Sequence, residues 1–312
     1  MARRWPAAAF ALLLAAGCTG SGSPDVDPLA EAPPTTARAA GGYGEPAVLG
    51  EIADRAVAES SGLAASRRNP GLLWTHNDSD DAPLLYCLDL EGASCGRWRV
   101  TGAEAFDWED MAAGPGPQAG EPYLYVGDIG DNLDQRREVV VYRVPEPEAP
   151  ADSPSAATAP AEALRLRYPD GPHNAEALLV HPATADLYVI AKDAQSAGVY
   201  KASAPLEASR VATMVRVGAI RLGAGTRGLE QVTGGDISPD GRRVAVSTYG
   251  QGYELELPQD AAAFDDIWAG APVPVVLGTR IQGEAIAYRL DGRALLTTSE
   301  VAPSPLLQVE RR

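Results

Sequence analysis

Ser61, Glu109, Glu176, Thr233 and Glu284 are the residues of this 312-residue chain best placed to do chemistry together. Each follows another polar residue by two places: Glu59, Asp107, Asn174, Gln231 and Gln282, in that order. Side chains two apart on a strand share a face, so both sets can point the same way. If the five segments converge, three glutamates meet in one narrow space. Like charges at close quarters repel, and burial adds to the cost of each. The carboxylates then take up protons, stay solvated in a water-filled channel, or gather around a cation. Carboxylate and hydroxyl oxygens form a hard donor set that suits Ca²⁺, with water completing about six to eight ligands. The set contains no cysteine or histidine, which disfavours a transition metal.

A second group of polar residues closes the strands that follow these segments. It comprises His76, Asn77 and Asp78, then Asp128, Asp131 and Asn132, then Lys192, and finally Glu300. The two Asp-rich stretches offer a second cation site, although Asp, Asn and Gly also dominate ordinary turns for backbone reasons. Asp78 or Asp131 is placed to activate a water in a hydrolytic reaction. A Ser-His-Asp hydrolase is disfavoured, because there are only three histidines and no Gly-x-Ser-x-Gly elbow. Glu109 and Glu176 have the residue types of a glycosidase pair, but few aromatics stand near to stack a sugar. No Gly-rich loop fit to cradle phosphate is present.

The elements that must position these residues are short β-like runs broken by Gly, Pro, Asp and Asn. The one stretch with helical character is Gln259 to Trp268. Five units share a pattern of polar start, apolar strand, turn and second strand. They open at Glu59, Asp107, Asn174, Gln231 and Gln282 and recur at roughly 50 residues, the spacing of a four-stranded propeller blade. The expectation is an all-β, five-bladed β-propeller with antiparallel blades over residues 43–312. The fifth unit lacks one strand, and Ala47 to Ile52 is available to supply it and close the ring. Six blades would require splitting the Pro/Ala-rich stretch from Pro145 to Ala163, which reads as a surface loop. In a propeller the first strand of each blade lines the channel. Ser61, Glu109, Glu176, Thr233 and Glu284 then form an inner ring, and the remaining polar residues line the mouth.

The N-terminus reads as an export signal over residues 1–17: Arg3 and Arg4, an apolar run from Ala7 to Ala16, then small residues. That run is half the ~20 residues a membrane span needs, and no later stretch is long and apolar enough to span. Leu14-Ala15-Ala16-Gly17-Cys18 resembles the bacterial lipobox. The resemblance implies cleavage before Cys18 and a diacylglycerol anchor on it; the alternative is an ordinary signal peptide. Residues 18–42 read as a disordered tether rich in Ser, Gly, Pro, Asp and Ala. The expected location is extracytoplasmic, held to the cell membrane by the lipid alone. The net charge of −16 argues against nucleic acid and anionic membranes as partners of a basic face. Cys87 and Cys95 flank a strand end and turn, a spacing that suits a local disulfide in an oxidising compartment, or two free thiols.

Glu59-Ser60-Ser61-Gly62-Leu63, Leu124-Tyr125-Val126-Gly127, Glu176-Ala177-Leu178 and Thr298-Ser299-Glu300 resemble the blade motifs of calcium-activated nucleotidases, the soluble apyrases. The resemblance implies a five-bladed propeller with a central Ca²⁺ held at positions 61, 109, 176, 233 and 284. The chain is also similar to secreted bacterial propellers of the phytase-like and WD-repeat-like kind. Two functions are open at this point. One is a monomeric binding module that presents an acidic, Ca²⁺-bearing mouth to a small molecule or an extracytoplasmic protein. The other is a calcium-dependent hydrolase of phosphoesters or phosphoanhydrides.

Overall fold

The structure is a computed structural model that describes residues 42–78, 81–149, 155–193, 196–222 and 230–312. The signal segment and the tether as far as residue 41, Cys18 included, lie outside the described residues. Every sheet follows from the sequence pattern of short apolar runs closed by turns.

The chain begins with β1 (Ala47–Glu51) and then builds five blades. The first contains β2 (Ser60–Ala65), β3 (Leu72–Asn77), β4 (Leu84–Asp89) and β5 (Ser94–Arg99). The second contains β6 (Trp108–Pro115), β7 (Pro122–Asp128) and β8 (Val139–Pro145); after β9 (Ser155–Ala157) it is completed by β10 (Glu162–Arg167). The third contains β11 (Ala175–Val180), β12 (Leu187–Ala191) and β13 (Ala197–Ala202); after β14 (Val211–Thr213) it ends with β15 (Val215–Ile220). The fourth has β16 (Val232–Ile237), β17 (Arg243–Thr248), β18 (Gly252–Glu256) and β19 (Val273–Val275). The fifth has β20 (Gly283–Tyr288), β21 (Ala294–Ser299) and β22 (Pro305–Glu310), and β1 pairs antiparallel with β22 as its outermost strand. The innermost strands β2, β6, β11, β16 and β20 pack in succession and β20 returns to β2, so the ring is closed. Pairing between them covers the edge of β22 and makes β1 the outer strand of the fifth blade.

Two short strands depart from the sequence reading. β9 lies in the stretch expected to be a loop and adds parallel to β5, while β14 adds parallel to β10. Each covers the outer edge of a blade with chain from the blade that follows. The expected helix is a short 3-10 helix, Phe264–Ala269, shorter than Gln259 to Trp268. Its Ile267 and Trp268 are buried against the third and fourth blades. Among the described residues no helix is long and apolar enough to cross a membrane.

The core is divided into five clusters, one for each junction between blades. Strand alternation explains the division. In β11, Leu178 and Val180 pack against the second blade, whereas Ala177 and Leu179 pack against the fourth. In β20, Ala285 and Ala287 face the first blade, and Ile286 and Tyr288 face the fourth. Inner strands are therefore mainly apolar on both faces, and the ring residues stand at their ends.

Candidate functional site

Those ends share one local device. The pairing of the first strand with the second slips between Ser60 and Gly62, between Trp108 and Asp110, and between Ala175 and Ala177. It slips again between Val232 and Gly234 and between Gly283 and Ile286. The residues inside these slips are Ser61, Glu109, Glu176, Thr233 and Glu284, the last together with Ala285. A β-bulge re-aims a side chain out of the strand's alternation. Repeated in all five blades, it turns the inner-ring residues away from the blade interfaces.

Ser61, Glu109, Glu176 and Glu284 line a chamber of about 170 Å³ at the channel mouth. Asp78, Asn132, Lys192, Gln282 and Glu300 join them, with Tyr249. Thr233 does not line the chamber. Its hydroxyl donates to the backbone carbonyls of Gly283 at 3.0 Å and Glu284 at 3.2 Å, so it serves as a strut to the next blade. The Ser61 hydroxyl likewise donates to the carbonyl of Glu109. The ring of five thus divides into three carboxylates that face the chamber and two hydroxyls that tie blades together.

The carboxylates are crowded. Asp78, Asp107 and Glu109 each bring a ligand oxygen into a group within 4.8 Å of one another. Burial pushes the Asp107 carboxyl up to about 6, with Arg136 opposing and Glu176, Asp128 and Asp131 adding to the rise. Burial raises Glu109 well above the usual carboxylate range, and Glu176, Asp78 and Asp107 raise it further. Glu284 is raised well above that range by the same cause, reinforced by Glu176 and Glu300. A lysine stands among them. Lys192 pairs with Glu176 at 2.6 Å and lies over the Tyr249 ring at 5.1 Å. Burial disfavours its charge, but Glu176 outweighs that and holds the ammonium proton more tightly than in water.

Other residues expected at the mouth serve the walls. His76 is wholly buried, edge-on to Trp108 with ring centroids 5.5 Å apart, and burial lowers its pKa to about 4. β3 continues through His76, so alternation turns it into the junction between blades. Asn77 accepts the backbone N–H groups of Ala58 and Glu59 and donates to Ala56 and Asp81, which fixes the entry to β2. Asp128 pairs with Arg136 at 2.8 Å, and Asp131 accepts the Arg136 backbone N–H. Asn174 accepts from the Asp131 backbone and donates to Asn132. Glu59 is exposed and bridges through its backbone to Val301; Gln231 is half-buried beside β16.

Two carboxylates escaped the sequence reading. Asp110, fully buried, accepts N–H groups from Leu178 at 3.0 Å and Gly235 at 3.1 Å, reaching across to the third and fourth blades. Asp236 accepts from Tyr288 of the fifth blade at 2.8 Å. An Asp directly after a ring residue was the available signal for the first. Cys87 and Cys95 are free thiols whose side chains lie within hydrogen-bonding reach across the β4–β5 hairpin. Of the two states that their spacing allows, a disulfide or two free thiols, the structure has the free thiols.

Fold and site define a five-bladed β-propeller with an acidic channel mouth. No protein-family profile matches the sequence, and no curated protein matches it. Among solved structures, a luciferin-regenerating enzyme is 11% identical over 85% of this chain and 95% of its own, with a TM-score of 0.46. The hydrazine synthase of Kuenenia stuttgartiensis is 9% identical over 81% and 83%, with a TM-score of 0.44. The Dos1 propeller is 9% identical over 80% and 67%, with a TM-score of 0.36. At such identities and scores the three say nothing about activity, and the blade count rests on strand pairing.

Proposed function

We propose that the acidic mouth binds Ca²⁺ and that the Ca²⁺-bearing face is the binding surface of a tethered extracytoplasmic protein. The observation that carries this is the approach of Asp78, Asp107 and Glu109, whose ligand oxygens lie within 4.8 Å of one another. Supporting it, burial and the neighbouring Glu176, Asp78 and Asp107 carboxylates make the charge on Glu109 costly without a counter-ion. Hard oxygen donors of this kind favour Ca²⁺ over a transition metal. Glu176, with Lys192 against it, is the less available of the ring carboxylates. In this reading Ser61 and Thr233 are not direct ligands; they hold Glu109 and Glu284 in position. Isothermal titration of the full chain with CaCl₂ tests it: one ion per chain is expected, with binding lost in Glu109→Gln. Absence of calcium binding at millimolar ion would end the reading.

The partner is a small molecule or an extracytoplasmic protein, met by a monomer. Anchoring rests on a lipid at Cys18, and its removal is tested by Cys18→Ala, which should abolish incorporation of labelled palmitate. A calcium-dependent phosphoester or phosphoanhydride hydrolase is the second reading. It is favoured by Lys192, which lines the same chamber as the carboxylates and could steady an anionic group beside the metal. Turnover of nucleotides or phosphate monoesters that requires Ca²⁺ and Glu109 would establish it.

A further inference from the structure

The chamber holds a second acidic feature apart from the trio. Glu284 and Glu300 come from the fifth blade, whereas Asp78, Asp107 and Glu109 come from the first and second. Glu284 is only 4% exposed. Its side chain lies within hydrogen-bonding reach of Glu300, and the Oε2 atom of each is buried with no donor among the described residues. Among the described residues no donor reaches either Oε2 atom. Lys192 is held by Glu176, and Gln282 reaches only the other oxygen of Glu284, at 3.3 Å. Arg280 is turned toward Ser247, Thr297 and the Thr248 carbonyl. The two carboxyl groups have each other and the Gln282 amide, and a cationic donor from outside would satisfy the two Oε2 atoms that remain.

Four exposed apolar residues stand next in the chain to residues of the mouth. Ile281 is 82% exposed, Phe106 and Leu133 are each 69% exposed, and Val301 is 38% exposed. Each flanks a site residue in the chain: Gln282, Asp107, Asn132 and Glu300 respectively. Exposed apolar residues gathered around one feature mark a surface that a partner covers. A bare ion would satisfy the carboxylates and leave this rim in water. An anionic partner would meet the carboxylates of Asp78, Glu109, Glu176, Glu284 and Glu300 that line the chamber. A lysine or arginine satisfies both requirements, since its stem is apolar and its head is a cationic donor.

We propose that the mouth docks a polypeptide segment carrying a lysine or arginine between apolar side chains, with the basic head seated at Glu284 and Glu300. The proposal rests on the mouth being a binding face and names what that face takes. The apolar neighbours of the basic residue cover Ile281 and Val301 on one side and Phe106 and Leu133 on the other.

The test is selection from a randomised library of capped dodecapeptides on the immobilised full chain in calcium. The expected result is enrichment of peptides with a single Lys or Arg flanked by Leu, Ile, Val or Phe. The best of them should bind at least about tenfold more weakly to an Ile281→Ser/Val301→Ser double variant, and its Lys→Gln form should lose as much on the native chain. The double variant alters no calcium ligand, so calcium titration of the same protein should be unchanged; loss of calcium binding in the native chain would sink the metal reading alone. Enrichment of basic peptides indifferent to the rim substitutions overturns the docking proposal. So does a library with no basic-apolar consensus, or rim-dependent capture of phosphatidylglycerol vesicles in place of peptide.

Discussion

The hydroxyl of Ser61 is bonded to the backbone carbonyl of Glu109, so the bulge of the first blade is tied to the bulge of the second. Thr233 repeats the relationship between the fourth and fifth blades, through the carbonyls of Gly283 and Glu284. A bulge interrupts the ladder and leaves backbone groups in need of partners. The small hydroxyl side chains supply them where glutamate in the same position would project into the chamber. The metal site and the ring closure thus use the same bulge in different blades.

Removing a strut leaves buried carbonyls without their donor. Thr233→Val keeps the shape and deletes the hydroxyl, and should cost about 1–3 kcal/mol. Urea denaturation of the two proteins measures the difference. Thr233→Ser should recover most of the loss, since the donor returns. Equal midpoints for native protein and Thr233→Val would mean the hydroxyl holds nothing.

Lys192 is the ammonium that permits Glu176 to stand among the other glutamates of the ring. Lys192→Met should destabilise the propeller by about 3 kcal/mol in chelator, because a buried carboxylate loses its partner. Calcium should restore more stability to this variant than to the native chain, since an ion that binds only the folded state adds stability by mass action. Thermal melts with and without CaCl₂ provide the comparison. A variant as stable as the native chain in chelator would show that Glu176 does not depend on the ammonium.

Blade count, ring closure by Ala47 to Glu51 and the identity of the ring residues were legible in the sequence, because each follows from periodicity. A repeated polar start before an apolar strand announces itself five times over. The bulges were not legible, since a one-residue slip leaves no mark in composition. For that reason Thr233 read as a ligand like Glu176, although its shorter side chain reaches only backbone across the junction. His76 was misplaced because every polar residue at a strand's end read as facing the mouth, whereas alternation along β3 turns its ring into the junction between blades. Asp110 read as strand filling after Glu109. Its role depends on Leu178 and Gly235, which lie far along the chain and meet it only when the ring closes.

Asp236 gives the fold a pH dependence with a definite sign. Burial pushes its carboxyl up to about 6, against the opposing hydrogen bond from Tyr288. Because the folded-state value lies above the unfolded one, the folded protein binds the extra proton between roughly pH 4 and 6. Its contribution to stability is therefore greatest below that window and is lost as pH rises through about 6. Asp236→Asn removes the titration while keeping an amide oxygen for the Tyr288 N–H. Stability of the native protein relative to this variant should fall as pH rises from 4 to 7 by about the width of that window. A constant difference across that range, followed by denaturant midpoints, would contradict the assignment.

Gly130 offers a test that separates the calcium trio from the stability of the fold. It stands in the loop after β7, where a Cβ would overlap the carboxylate oxygens of Glu109 and Asp107. Those oxygens end flexible side chains, so Gly130→Ala can be accommodated by turning both carboxylates aside, at little cost to the blade. The turn moves two of the three oxygens that approach one another in the trio. Calcium affinity should then fall by about tenfold or more, as a hard cation depends on the number of oxygens at short range. The melting temperature in chelator should stay close to that of the native chain. Titration calorimetry and a melt on one preparation read both quantities. Unchanged calcium affinity in a folded Gly130→Ala protein would place the ion elsewhere than Asp107 and Glu109.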